Sequence, residues 1–158
     1  TYLELEHRAS DANESIEALG HVHHCPDCLH RETAFGLIAD PPERCPNCGN
    51  AGLVTAGPVW LAATHDEACV RTTATHVEDS MGTTTRAGRL LERLHGELSV
   101  PMHYDQHRLY KRWSEPAIGM DEFIDRLRGA GFEASRTHYG GTTVKTTASV
   151  AEIEAAVL

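Results

Sequence analysis

Cys25-Pro26-Asp27-Cys28 and Cys45-Pro46-Asn47-Cys48-Gly49 are two copies of one short pattern, separated by 16 residues, and they decide the reading of the first part of the chain. A C-x2-C turn aims two thiolate sulfurs at a point about 2.3 Å away, and two such turns complete a tetrahedron around Zn²⁺. Pro26 and Pro46 fix φ inside those turns, and Gly49 suits a positive φ just beyond the second. Asp40-Pro41-Pro42 supplies a turn in the spacer that brings the pairs together. Competing readings fit less well. A redox C-x-x-C needs a βαβ setting and no second copy. Two disulfides need an oxidising compartment, and no targeting segment is expected here. His21, His23, His24 and His30 crowd the first pair but are surplus once four sulfurs close the site. Zn²⁺ on Cys25, Cys28, Cys45 and Cys48 is therefore expected to be structural, since a filled tetrahedron leaves no position for water or substrate. The fifth cysteine, Cys69, is expected to be a small buried hydrophobe.

Downstream the periodicity changes. Gly57-Pro58-Val59-Trp60-Leu61-Ala62 predicts a short buried strand, and Thr64-His65-Asp66-Glu67 has capping-box spacing for a helix towards Asp79. Ala87, Leu90, Leu91, Leu94 and Leu98 repeat at helical spacing. Residues 102–113 predict a basic, aromatic helix that Glu115-Pro116 ends. A third helix runs from Asp121 to Ala130, with Phe123, Ile124 and Leu127 inward and Gly131 as its stop. Phe132–Tyr139 and Thr142–Thr147 flank Gly140-Gly141 as a hairpin, and Ser149-Val150-Ala151-Glu152 opens a closing helix carrying Ile153 and Val157. Three helices followed by a hairpin is the order of a winged-helix module. The fold class expected is α+β: a zinc ribbon, then a helical region with a winged-helix-like module of three helices plus a β-hairpin.

The chain's 158 residues carry 23 acidic and 14 basic side chains, a formal charge of −9, and 41 % are hydrophobic. No apolar run approaches 18 residues, so neither a membrane span nor a secretory core is predicted, and a cytoplasmic protein of one or two small domains is expected. Arginine outnumbers lysine, Lys111 and Lys145 being the only lysines, and the acid excess resembles that of proteins from high-salt cytoplasms. The acidity is unevenly placed. Residues 1–58 hold nine acids and three bases, whereas 101–158 hold eight and seven. If any surface meets phosphate, it is Arg108, Lys111 and Arg112 on the second helix, with Arg136, His138 and Lys145 on the hairpin.

Catalytic motifs are missing from the sequence. It contains no G-x-S-x-G, Walker A or G-x-G-x-x-G, and Asp40-Pro41-Pro42-Glu43 lacks the aromatic of an amino-methyltransferase loop. His103 and His107 stand four apart without the Glu that a zincin needs beside the first histidine, so they read as surface or RNA-facing.

Cys45-Pro46-Asn47-Cys48-Gly49, Gly57-Pro58-Val59-Trp60, His65-Asp66, Tyr104-Asp105-Gln106-His107-Arg108-Leu109, and Ala134-Ser135-Arg136-Thr137-His138 with Lys145-Thr146 and Ala148 follow one another in an order that resembles a known family. From about His21 onward, the chain resembles the C-terminal region of the tRNA (guanine-26) N2-dimethyltransferases. That resemblance implies S-adenosylmethionine-dependent methylation of a guanine exocyclic amine in tRNA. It places the methyl donor and the catalytic loop in an N-terminal Rossmann-like domain absent from this chain, so no catalytic residue is carried over. It makes tRNA the partner, with Thr137 joining Arg108, Lys111, Arg112, Arg136, His138 and Lys145 as RNA contacts. An accessory region anchored on tRNA would offset the cost of extruding the target base.

The expected layout is 1–20 as the end of the catalytic domain and connector, 21–56 as the four-cysteine ribbon, 57–100 as strand and helices, and 101–158 as the tRNA-binding module. The oligomeric state is open, with a monomer as the default. A different class of function fits the same elements: a zinc-ribbon and winged-helix interaction module of a transcription or assembly factor, with no methyltransferase parent.

Overall fold

The computed structural model describes residues 8–158, so the first seven residues of the expected 1–20 connector lie outside the described residues. Contacts divide the chain into two units that meet in sequence at Ala62 and Ala63.

In the first unit a helix, α1 (Ala9–Glu17), leads into β1 (Leu19–His24), which pairs antiparallel with β2 (Arg31–Phe35) and β3 (Val54–Trp60) in the order β2-β1-β3. The centre of this sheet is tight. A Cβ on Gly20 would stand 2.3 Å from the Ala34 carbonyl and 2.5 Å from Leu61 Cδ1. Gly57, at φ +153°, faces the His21 ring where the β1–β3 register shifts between Gly20 and Val22. Only glycine allows backbones that close an approach. The predicted buried strand at Gly57–Ala62 is corrected: β3 begins earlier and is exposed along its length, with Leu61, just after it, buried. Pro58 explains the placement, because a residue without an N–H belongs on an edge strand.

The second unit holds α2 (Glu67–Thr75), α3 (Thr84–His95), β4 (Tyr104–Asp105), α4 (Gln106–Trp113), α5 (Met120–Gly129), β5 (Ala134–Arg136), β6 (Thr143–Thr146) and α6 (Val150–Val157). Its sheet runs β4-β6-β5, antiparallel throughout. Leu109, Phe123, Leu127, Val144 and Ile153 are fully buried and form its core. Tyr110 packs edge-on to Phe123 and Trp113, with ring centroids 6.0 and 5.4 Å away.

The local signals account for most boundaries. In α5, Asp121 and Glu122 sit in the first turn and Arg126 and Arg128 in the last, matching the helix dipole, and Gly131 at φ +91° ends it. Ser149 and Glu152 form the expected reciprocal cap of α6. Elsewhere the structure departs from expectation. The cap of α2 is Asp66, whose carboxylate accepts from Cys69 N at 2.6 Å, not Thr64, and the helix stops at Thr75. Cys69 is exposed, not buried: α2 turns Val70 inward, and a neighbour 100° around the helix faces away. The predicted helix over 102–113 begins with β4, because Tyr104 and Asp105 pair with Val144 and Thr143 before Asp105 caps α4.

Candidate metal centre and nucleic-acid interface

The two cysteine turns are built alike. Cys25 N donates to His30 O at 2.8 Å and Leu29 N to Cys25 O at 3.0 Å, while Cys45 N donates to Asn50 O and Gly49 N to Cys45 O, both at 2.8 Å. The residue after each second cysteine is left-handed, with Leu29 at φ 64° and Gly49 at φ 77°. The four sulfurs lie within 4.8 Å of one another, and the pairs Cys25–Cys48 and Cys28–Cys45 are each 3.6 Å apart. A regular tetrahedron with metal–sulfur bonds of about 2.3 Å requires sulfur separations of about 3.8 Å. The geometry therefore fits a tetrahedral ion with thiolate ligands. Cys25, Cys28 and Cys45 are buried and Cys48 is exposed, and Asn50 Nδ2 approaches Cys25 Sγ at 3.7 Å.

Cys25 and Cys48 are driven in opposite directions by their surroundings. Burial alone would raise the Cys25 pKa, but the amides of Cys28 and Asp27 and the neighbouring Cys48 and Asn50 outweigh it and hold it at about 6. At Cys48 the Asn50 amide favours the thiolate, yet desolvation and the three other sulfurs push the thiol up to about 12. The histidines stay out of the cluster. His21 and His23 are buried on β1, His23 Nδ1 meets Thr55 Oγ1 at 2.9 Å, and His30 Nε2 lies 3.8 Å from Glu32.

α4 sorts its residues by face. Gln106, Leu109, Tyr110 and Trp113, at i, i+3, i+4 and i+7, turn inward, which leaves His107, Arg108, Lys111 and Arg112 on the outer face. Asp105 caps the helix through Arg108 N at 3.0 Å, and Lys111 and Arg112 fall in its last turn. The three basic side chains expected on a helix thus share one exposed surface. His103 precedes β4 and does not stand one turn from His107 on a common helix.

The hairpin residues divide. Arg136 forks onto Asp121 Oδ1 at 2.7 and 3.2 Å, tying β5 to the start of α5. Thr137 is wholly buried beside Thr143 Oγ1. Lys145 is buried too: its Nζ is 2.9 Å from Glu97 Oε1 and 3.2 Å from Thr64 Oγ1. His138 binds the other carboxylate oxygen through its amide at 2.7 Å and through Nδ1 at 2.9 Å. Lys145 and Thr137 thus depart from the expected strip of surface contacts. β6 is the central strand of its sheet, and its residues Thr143, Val144 and Lys145 are all enclosed.

Glu97 is the residue that sequence reasoning missed. Burial opposes its ionisation, but Lys145 and His138 outweigh it and lower its pKa below the ordinary carboxylate value. It lies two residues beyond the end of α3, and a lone acid after a helix gives no signal of such a role.

A family model described as N2,N2-dimethylguanosine tRNA methyltransferase matches residues 1–157. The tRNA (guanine(26)-N(2))-dimethyltransferase of Halobacterium salinarum is 54 % identical over 158 residues, all of this chain and 43 % of the relative. That of Haloarcula marismortui is 55 % identical over 156 residues, 99 % of this chain and 42 % of the relative. The chain thus spans about two-fifths of these relatives' length. A solved complex of Trm1 from Pyrococcus horikoshii with S-adenosyl-L-methionine superposes with a TM-score of 0.80 at 29 % identity, covering 94 % of this chain and 38 % of that one. These matches set aside the reading with no methyltransferase relatives. They also correct the placement at a C-terminal region, together with the accessory role drawn from it: the match is to the N-terminal region of the dimethyltransferases. Motif order inside a chain carries no information about what flanks it, which is why the sequence reading misplaced it.

Proposed function

This chain belongs to the N2,N2-dimethylguanosine tRNA methyltransferase family, and from that premise we propose that it holds a structural zinc and grips tRNA within an enzyme that dimethylates N2 of guanine-26. The single observation that carries the tRNA-gripping role is the outer face of α4, where Arg108, Lys111 and Arg112 stand together on a helix anchored by Leu109 and Tyr110. Structured RNA is read largely through phosphate and 2′-hydroxyl contacts, which such a face supplies. Arg136 and His138 border the same unit's hairpin. Glu97, Lys145 and Thr137 act as positioning residues that hold that hairpin.

The element order α3-β4-α4-α5-β5-β6 with sheet order β4-β6-β5 supports a winged-helix reading of the second unit. The β2-β1-β3 sheet bearing two like cysteine turns supports a zinc ribbon in the first. Zinc bound there would cross-link the two turns. The Pyrococcus horikoshii relative is a complex with S-adenosyl-L-methionine, which supports that compound as the methyl donor of the enzyme to which this chain belongs.

The excess acidity fits a salty cytoplasm. No helix among the described residues is long and apolar enough to cross a membrane. At about 1 M salt the Debye length is about 3 Å, so short Arg and Lys contacts act while long-range repulsion of RNA is screened. The test is tRNA affinity as a function of salt for the full chain and for Arg108→Ala and Lys111→Ala: both variants bind more weakly, with a shallower salt dependence. Unchanged affinity and slope would overturn the placement.

A further inference from the structure

The loop joining β5 to β6 carries an aromatic surface above a buried hydrogen-bonded network. Tyr139 is 54 % exposed. Its ring centroid lies 4.1 Å from that of His138 and 4.8 Å from that of His103, with tilts of 39° and 31°. The support under these rings is fixed. Glu97, fully enclosed, holds both His138 N and its Nδ1. Tyr139 N donates to the buried Thr137 hydroxyl at 3.2 Å, and Thr143 Oγ1 donates to Gly140 O at 3.1 Å. The backbone turns through Met102 at φ 64° immediately before His103, a conformation that non-glycine residues seldom adopt. Gly140 and Gly141 follow and place no side chain beside the ring.

An exposed tyrosine flanked by two aromatic rings and backed by a buried ionic network has little to do in the core, whose aromatic contacts are Tyr110, Phe123 and Trp113. Unstacked RNA bases are recognised by stacking on Tyr, Phe, Trp and His rings. We propose that Tyr139, with His103 and His138, is a stacking platform for one unpaired base of the tRNA. This rests on the tRNA-gripping reading above and names a contact that does not depend on charge.

The experiment compares tRNA binding by the full chain with Tyr139→Ala, Tyr139→Phe and Lys111→Ala across a salt series. Tyr139→Ala weakens binding roughly 5- to 150-fold, the range of one lost base–aromatic stack, and leaves the salt slope unchanged. Tyr139→Phe, which keeps the ring, binds within about twofold of the unsubstituted chain. Lys111→Ala lowers the slope. An unaffected Tyr139→Ala beside a weakened Lys111→Ala overturns the platform alone, and so does a Tyr139→Phe as damaged as the alanine variant. An unsubstituted chain that fails to bind tRNA overturns both readings.

Discussion

Lys145 Nζ stands 2.9 Å from Glu97 Oε1, and both side chains are wholly shielded from solvent. The pair joins the segment after α3 to the central strand of the second sheet, and His138 brings the hairpin loop onto the same carboxylate. Removing one partner from a buried pair leaves an uncompensated charge, at a cost of about 3–5 kcal/mol, whereas replacing both with apolar groups of similar volume is often close to neutral. Glu97→Leu or Lys145→Met alone should therefore lower stability by about that amount. The double variant should recover much of it, as denaturant melts of the four members of the cycle will show.

The same carboxylate gives a pH dependence. Its folded-state pKa is lowered, so its contribution is present above the unfolded carboxylate value of about 4.3 and disappears as pH falls through the folded value below that. Acid titration of Glu97→Gln should lack this component. Parallel acid-unfolding curves for variant and parent, offset only by a constant stability difference, would contradict it.

The left-handed residues after each second cysteine differ in side chain. Gly49 occupies at no cost the conformation that Leu29 adopts under strain, and the left-handed region costs a non-glycine residue about 1–2 kcal/mol. Gly49→Ala should destabilise the metal-bearing unit by about 1 kcal/mol, read as a lower urea midpoint at constant m-value.

Metal content follows from four sulfurs at tetrahedral spacing. Elemental analysis should find about one zinc per chain, Cys45→Ser should lose it, and a chelator should unfold the first unit, since binding a structural metal is also folding free energy. A fully folded, zinc-free parent would contradict the metal assignment.

Much of this was legible in the chain and some was not, for identifiable reasons. The cysteine pairs, α5 and the Ser149–Glu152 cap were readable because each is a local pattern that needs no distant partner. The clustering of Arg108, Lys111 and Arg112 placed three bases on one helix, while the structure supplied the division of that helix into a buried face with Leu109 and Tyr110 and an exposed one. Lys145 was misread because a lysine's burial depends on Glu97, 48 positions away in sequence, and on β6 being central, which strand order alone decides. Cys69 and β3 failed similarly: helix phase exposed one, and Pro58 at a sheet edge exposed the other. His103 and Tyr139 are 36 positions apart in sequence, and their ring contact is a tertiary one that no local pattern announces.

The central claim is that the outer face of α4 grips tRNA, and the salt dependence of binding tests it most directly. The logarithm of affinity falls linearly with the logarithm of salt, and each phosphate contact removed should lower the slope by about one. The Arg108→Ala, Lys111→Ala, Arg112→Ala triple variant is expected to bind tRNA far more weakly, with a slope reduced by about three. A triple variant that binds with the parental affinity and slope would show that tRNA is held elsewhere.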